Sequence, residues 1–471
     1  MKNWIGLTVL VAMTLTACGG GGEQTAGIDA RGNPVVVGVV SKGTISGFGS
    51  VIVNGVRYDT NTAAFDIDGS DGVQADLSVG DVVTIRGTVN DDGTSPTASL
   101  VTFDDAVEGP IEAIDLGTNT ITVLGQIVRI DADTSFDDSI SPASIDGLNV
   151  SDIVEVSGFV LADGSISATR IEPKPAGGEF EVTGQVSNLT ATTFDINALT
   201  VDFSAAQLDN FPNGTPEEGQ RVEAKGTSLG AGGELQATRV EFKGTGLGGN
   251  DGDAAEIEGF ITRFVSASDF DVEGIPVTTT GSTSFVNGTA ADLGLNRKVE
   301  VEGSLNASGV LVATKVELKL SNFIRIEGRV DAIGASSVTI FGVVINTNAV
   351  TRFEDKSSAD LEVFNLTNIN VGDYLETRGY EDATGVVATQ VERDDFRGDV
   401  AIRAFVDSVT DPTFTIRGVS IETNGNTEFR DVNDQGISAG VFFGQAMGRL
   451  VEAKGAESNG GILADQVDLE D

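Results

Sequence analysis

Val154-Glu155-Val156-Ser157-Gly158, followed ten residues later by Ala168-Thr169-Arg170-Ile171-Glu172, is one copy of a pattern that returns along the whole chain. The glycine-ended strand reads V-V-T-I-R-G at 82 to 87, V-E-A-K-G at 222 to 226, V-E-V-E-G at 299 to 303, L-E-T-R-G at 375 to 379 and V-E-A-K-G at 451 to 455. Gly87, Gly158, Gly226, Gly303, Gly379 and Gly455 are spaced 71, 68, 77, 76 and 76 residues apart, so one module is copied six times. Apolar residues at every second position put one face of each strand on a core and turn the interleaved Glu, Lys and Arg outward, into water.

Working outward from the glycine, each unit opens on a strand with its own glycine, such as Gly43, Gly109, Gly184, Gly259 and Gly328, with Ala404 in the sixth. A bent second segment follows, as in Thr193-Phe194-Asp195-Ile196 before Val201-Asp202-Phe203. Asp92-Gly93, Asp163-Gly164 and Gly232-Gly233 supply the positive φ of tight hairpins between the last two strands. Five short strands in each unit, with no strong helical periodicity, predict an all-β chain of six small closed barrels. The repeated glycine is expected to mark a bulge, where a side chain would crowd the adjacent strand.

The units are placed at 37–103, 106–173, 179–242, 255–318, 322–393 and 399–471, with residues 243–254 as a glycine-rich linker. A unit of this size buries only about 60% of its unfolded surface, so neighbours are expected to stabilise one another. The linker predicts that the first three barrels swing against the last three. At about 28 Å per module, a string of six would reach roughly 170 Å.

Residues 1–17 carry Lys2 and an apolar run from Ile5 to Leu15, the layout of a secretory signal peptide and too short to span a bilayer. Leu15-Thr16-Ala17-Cys18 resembles the bacterial lipobox, which implies lipidation of Cys18, membrane attachment through that lipid and a flexible tether over 18–36. By the same resemblance, position 19, which is not Asp, favours the outer membrane. Histidine is absent, Cys18 is the sole cysteine and Trp4 the sole tryptophan. Ser-His-Asp and Cys-His catalysis, imidazole metal sites and disulfides are thereby removed. A net charge of −42 opposes binding to nucleic acid or anionic lipid.

Ser46-Gly47-Phe48-Gly49-Ser50-Val51-Ile52-Val53-Asn54-Gly55-Val56-Arg57-Tyr58, with Leu77-Ser78-Val79-Gly80-Asp81-Val82-Val83 and Gly87, resembles the family known as domain of unknown function 5666. The later units keep the hydrophobic frame and the glycine. The resemblance implies small oligonucleotide/oligosaccharide-binding-like (OB-like) barrels in tandem in a bacterial envelope lipoprotein, and it brings no catalytic residue.

Acid clusters are the remaining chemistry. Asp66-Ile67-Asp68-Gly69-Ser70-Asp71-Gly72 alternates oxygen ligands like a calcium loop but has Asp71 and Leu77 where an EF-hand needs glycine and glutamate. Asn250-Asp251-Gly252-Asp253 is similar. Solvated loops are the simpler reading of both, and no metal, cofactor or catalytic residue is assigned. The sequence thus points to a lipid-anchored, non-catalytic repeat protein that engages another envelope protein or a polysaccharide. The alternatives are a carboxylate-based hydrolase in one module, or a spacer.

Overall fold

A computed structural model describes residues 38–89, 95–244, 246–432 and 435–470. The signal segment, Cys18, its tether and the Asp92-Gly93 turn lie outside the described residues.

The second repeat shows how each unit is built. Its strands are Val107–Asp115, Thr120–Val123, Gln126–Arg129, Ile153–Val160 and Ile166–Pro173. The first pairs antiparallel with the second and the second with the third; the third pairs in parallel with the fifth. The fifth then pairs with the fourth, and the fourth returns to the first. The order 1-2-3-5-4-1, with one parallel contact, is the closed OB-like barrel. A 3-10 turn at Ile145–Gly147 precedes the fourth strand. Alternation fills the interior: Val107, Ile121, Val128, Val154, Val156 and Ile171 are fully buried.

Both glycine positions have a steric cause. At Gly87, Gly158, Gly226, Gly303, Gly379 and Gly455 the register of the fourth and fifth strands slips, so all six sit at a bulge. A Cβ there would press on the carbonyl oxygen of the adjacent strand, at Thr97, Ser167, Gln236, Val312, Val387 and Leu463 respectively. Gly109, on the first strand, leaves room for Leu124. That leucine occupies the tight turn at positive φ with Gly125 and is fully buried.

The six barrels do not form a string. They join in three pairs through their first strands, giving three continuous sheets. Repeats 2 and 3 pair antiparallel, Glu181 opposite Glu108 and Val182 opposite Val107. Repeats 5 and 6 pair the same way, Arg325 opposite Arg403 and Ile326 opposite Ile402. Repeats 1 and 4 pair in parallel, Val39 to Lys42 beside Ala254 to Ile257. Each antiparallel pair shares one hydrophobic core, whereas repeats 1 and 4 keep separate cores.

This arrangement corrects the expectation of two swinging halves. The segment 243–254 is pinned at both ends: Lys243 Nζ lies 2.7 Å from Asp104, and the Gly252 N–H donates to the Leu305 carbonyl at 2.8 Å. A glycine-rich composition allowed motion, but strand pairing with repeat 1 removes it. Repeat 2 lies at the hub. Its Asp133 and Phe136 carbonyls accept from Arg352 and Lys356 of repeat 5, and the Val160 N–H donates to Glu273 of repeat 4.

Candidate functional site

On the outward face of the barrels, glutamates line up across the strands. Glu155 stands opposite Glu108 on one side and Glu172 on the other. Glu258, Glu300 and Glu317 form the same row in repeat 4, and Glu327, Glu376 and Glu392 in repeat 5. Like charges directly opposite one another are destabilising, so each row requires a cation. In three repeats it comes two residues after the last glutamate. Lys174 lies 2.6 Å from Glu155, Lys243 3.1 Å from Glu223 and Lys319 2.8 Å from Glu300.

These rows are outward from their own barrel yet shielded from water, because the neighbouring barrels cover them. Glu155, Glu181, Glu223, Glu256, Glu300 and Glu392 are all buried, as are Arg170 and Lys225. The expectation of solvated strand faces is therefore corrected. Alternation identified the correct face, and repeat-on-repeat packing changed what that face meets.

Where repeats 1, 2 and 3 meet, the charges do not balance. Asp68 comes from the hairpin turn between Ala64–Ile67 and Ser70–Gly72, where it and Gly69 both have positive φ. Asp105 lies just beyond the last strand of repeat 1, Glu108 and Glu155 belong to repeat 2, and Glu181 to repeat 3. Carboxylate oxygens of Asp68, Asp105 and Glu181 lie within 4.8 Å of one another, and so do those of Asp105, Glu108 and Glu155. Lys225 donates to Glu181 Oε2 at 2.5 Å and to the Asp68 main-chain carbonyl at 2.8 Å. The Asp105 N–H donates to Asp68 Oδ1 at 3.1 Å. Asp105 itself is 1% exposed, and neither of its carboxylate oxygens has a hydrogen-bond partner; Glu181 Oε1 has none either. Burial, then the charges of Asp68, Glu155 and Glu108, pushes the Asp105 carboxyl well above its ordinary range. Burial likewise raises Asp68 to about 6 and Glu155 to about 8.

A second feature is a cavity of about 90 Å³ among repeats 1, 2, 4 and 5, lined in part by Glu258, Lys298, Glu300, Lys319, Arg352 and Tyr380. Its acids are already paired, Glu258 with Lys298 at 3.1 Å and Glu300 with Lys319. At roughly 30 Å³ per water it holds a few solvent molecules. A more open depression of about 480 Å³ between repeats 5 and 6 has Asp407 as its acid, and that side chain accepts from the Gly418 N–H at 2.7 Å.

Of the sequence candidates, Cys18 lies outside the described residues. The Asp66–Gly72 stretch is a hairpin rather than a loop, and it sends Asp68 into the carboxylate cluster while Asp66 and Asp71 pair across the strands. Asn250–Asp253 is a self-capped turn in which Asp253 accepts from the Asn250 N–H at 2.7 Å. The structure adds Asp105, Glu108, Glu155 and Glu181, which sequence reading left among the solvated acids. A signal for one of them, Glu155, was Lys174, which stands two residues beyond the end of its row and lies 2.6 Å from it. The Gly47–Tyr58 segment is no free surface: Tyr58 is 1% exposed, and the turns at Gly49 and Gly55 rest against Val363 and Val350 of repeat 5.

The family model described as "Domain of unknown function (DUF5666)" matches six times, at residues 37–102, 108–172, 183–241, 258–317, 327–392 and 403–468. No curated protein matches the chain. Among solved structures, a chain titled "drosophila Unr CSD456" is similar at 13% identity over 45% of this chain and 98% of its own, with a TM-score of 0.14. A score that low carries no argument about fold or ligand.

Proposed function

The chain belongs to the DUF5666 family, as six copies of its domain, and from that premise we propose that it is a lipid-anchored, non-catalytic scaffold of the bacterial cell envelope. On this reading Cys18 holds it to the membrane, the outer one being favoured, and a single body of barrels engages another envelope protein or a polysaccharide. The observation that carries the reading is the use made of the repeats. Their common strands face one another, and the segments that differ between copies, including residues 212–215, 358–361 and 438–441, are exposed. Exposed, variable loops on a rigid frame are where binding specificity resides. The excess of acids supports a partner that is a protein or glycan rather than a nucleic acid.

The test is capture of envelope proteins and glycans on the soluble form, residues 23–471. A specific partner that is lost when the 212–215 or 358–361 loop is replaced supports the proposal; capture insensitive to every loop overturns it. Fractionation of Cys18→Ala tests the anchor separately, since a variant that stays in the membrane removes the role of the lipid.

A further inference from the structure

We propose that a divalent cation of the calcium type binds where repeats 1, 2 and 3 meet, held by Asp68, Asp105 and Glu181, with Glu108 and Glu155 contributing from the other side of Asp105. Two independent features support this. The first is geometry: the oxygens of each triad lie within 4.8 Å of one another. Oxygens at 2.3–2.6 Å from one calcium ion stand no more than about 4.6–5.2 Å apart, so each triad is close enough to share an ion, and a set built from several protein carboxylates suits calcium better than magnesium, which keeps most of its waters. The second is the state of Asp105. It is 1% exposed, shared by both triads, and both of its oxygens are without a partner, as is Glu181 Oε1. A buried carboxylate in that condition is strongly unfavourable, and the neighbouring lysines pair with other groups of the cluster and its surroundings rather than with Asp105. Lys225 is used by Glu181 Oε2 and the Asp68 carbonyl, Lys174 by Glu155 and Lys243 by Asp104 and Glu223.

The carboxylate group Glu256, Glu300 and Glu302 supplies the contrast. There Glu256 accepts from Ser41 Oγ at 3.4 Å, Lys315 lies 2.6 Å from Glu302 and Lys319 2.8 Å from Glu300, so each of the three carboxylates has a partner, as Asp105 has not, and no ion is proposed for it. At the first junction the ligands come from three repeats, so one ion would clamp three barrels in a chain that has no disulfide.

The experiment uses the whole protein after treatment with a chelator. Calcium chloride, with magnesium chloride in parallel, is titrated at neutral pH while thermal unfolding is followed, and bound metal is counted by elemental analysis. Expected is one calcium per chain, an unfolding midpoint that rises with the logarithm of calcium concentration, and a weaker response to magnesium. Asp105→Asn should weaken calcium binding by at least roughly a hundredfold, whereas Glu256→Gln should leave it unchanged. Absence of bound calcium at about millimolar concentration overturns the proposal, and so does an Asp105→Asn variant that binds like the parent. If Asp105→Asn does not fold, Asp68→Asn and the count on the unmutated protein decide. A midpoint that rises on acidification but ignores calcium shows protons neutralising the cluster, which also overturns the proposal.

Discussion

Glu181 and Arg325 occupy the same place in two copies of one barrel, three residues before the first-strand glycines Gly184 and Gly328. Both lie where two first strands run antiparallel and a fused core begins. Around Arg325 every carboxylate has a cation: its guanidinium reaches Glu327, Glu376 and Glu452 at 3.1, 2.8 and 2.9 Å, although Nε is left without a partner. Around Glu181 that is not so, and Asp105 is left without a partner. One backbone frame therefore supports two electrostatic solutions. A junction that contains its own arginine is complete in that every carboxylate has a cation, and a junction that carries glutamate there leaves Asp105 without one.

The largest effect should come from breaking the complete junction. Arg325→Ala leaves three carboxylates facing one another and is expected to cost about 3 kcal/mol in urea unfolding, with no recovery on adding calcium. A loss restored by calcium would mean that the two junctions do not differ as described.

Next in size is the shared frame. Gly226→Ala and Gly379→Ala each push a Cβ onto a carbonyl of the adjacent strand, at Gln236 and Val387. Both should cost about 1–3 kcal/mol, and by similar amounts. Unequal costs would show that the two frames are not equivalent.

Glu181→Arg sharpens the comparison by installing the solution of repeat 5 in repeat 3. The calcium-free protein should gain about 1 kcal/mol or less and lose its response to calcium, read from paired thermal melts. A retained response would place the ion elsewhere.

An effect absent at neutral pH and seen only in acid concerns the paired junction of repeats 1, 2 and 4. Burial alone would raise the Glu258 carboxyl, but Lys298, Lys319 and the Thr44 N–H outweigh it and hold it at about 2, below its ordinary 4.5. A carboxyl depressed on folding stabilises above its unfolded value, and that stabilisation is lost as pH falls from 4.5 through 2. Glu258→Gln should flatten the stability profile in this window by up to about 1.4 kcal/mol per pH unit. An unchanged slope would show that Glu258 is not held down.

The barrel was legible in the sequence because its determinants are local. Val154 and Val156 alternate into the core, Gly158 has no room for a Cβ, and Gly164 and Gly233 adopt the positive φ their turns need. The junctions were not legible, because a glutamate that alternates with valine has the same pattern whether water or another barrel lies over it. Glu155 and Glu223 read as solvated and are buried. Asp68 was legible only as part of an acidic stretch: Asp66–Gly72 is a hairpin, and its turn carries Asp68 to acids 37 and 113 residues further along. Distances in sequence of that order leave no periodic trace.

The order of pairing also constrains how the molecule is assembled as it is made. Repeats 2 and 3 are consecutive and can zip together once the second of them has emerged, and the same holds for repeats 5 and 6. Repeat 1 pairs with repeat 4, and the Thr44 N–H meets Glu258 across 214 residues of chain. Until that partner arrives, Val39 to Lys42, paired on one side with the fourth strand of repeat 1, present their other edge unpaired to neighbouring chains. Of the three pairings this is the one that spans the longest stretch of chain, so repeat 1 waits for its partner while two other barrels are made.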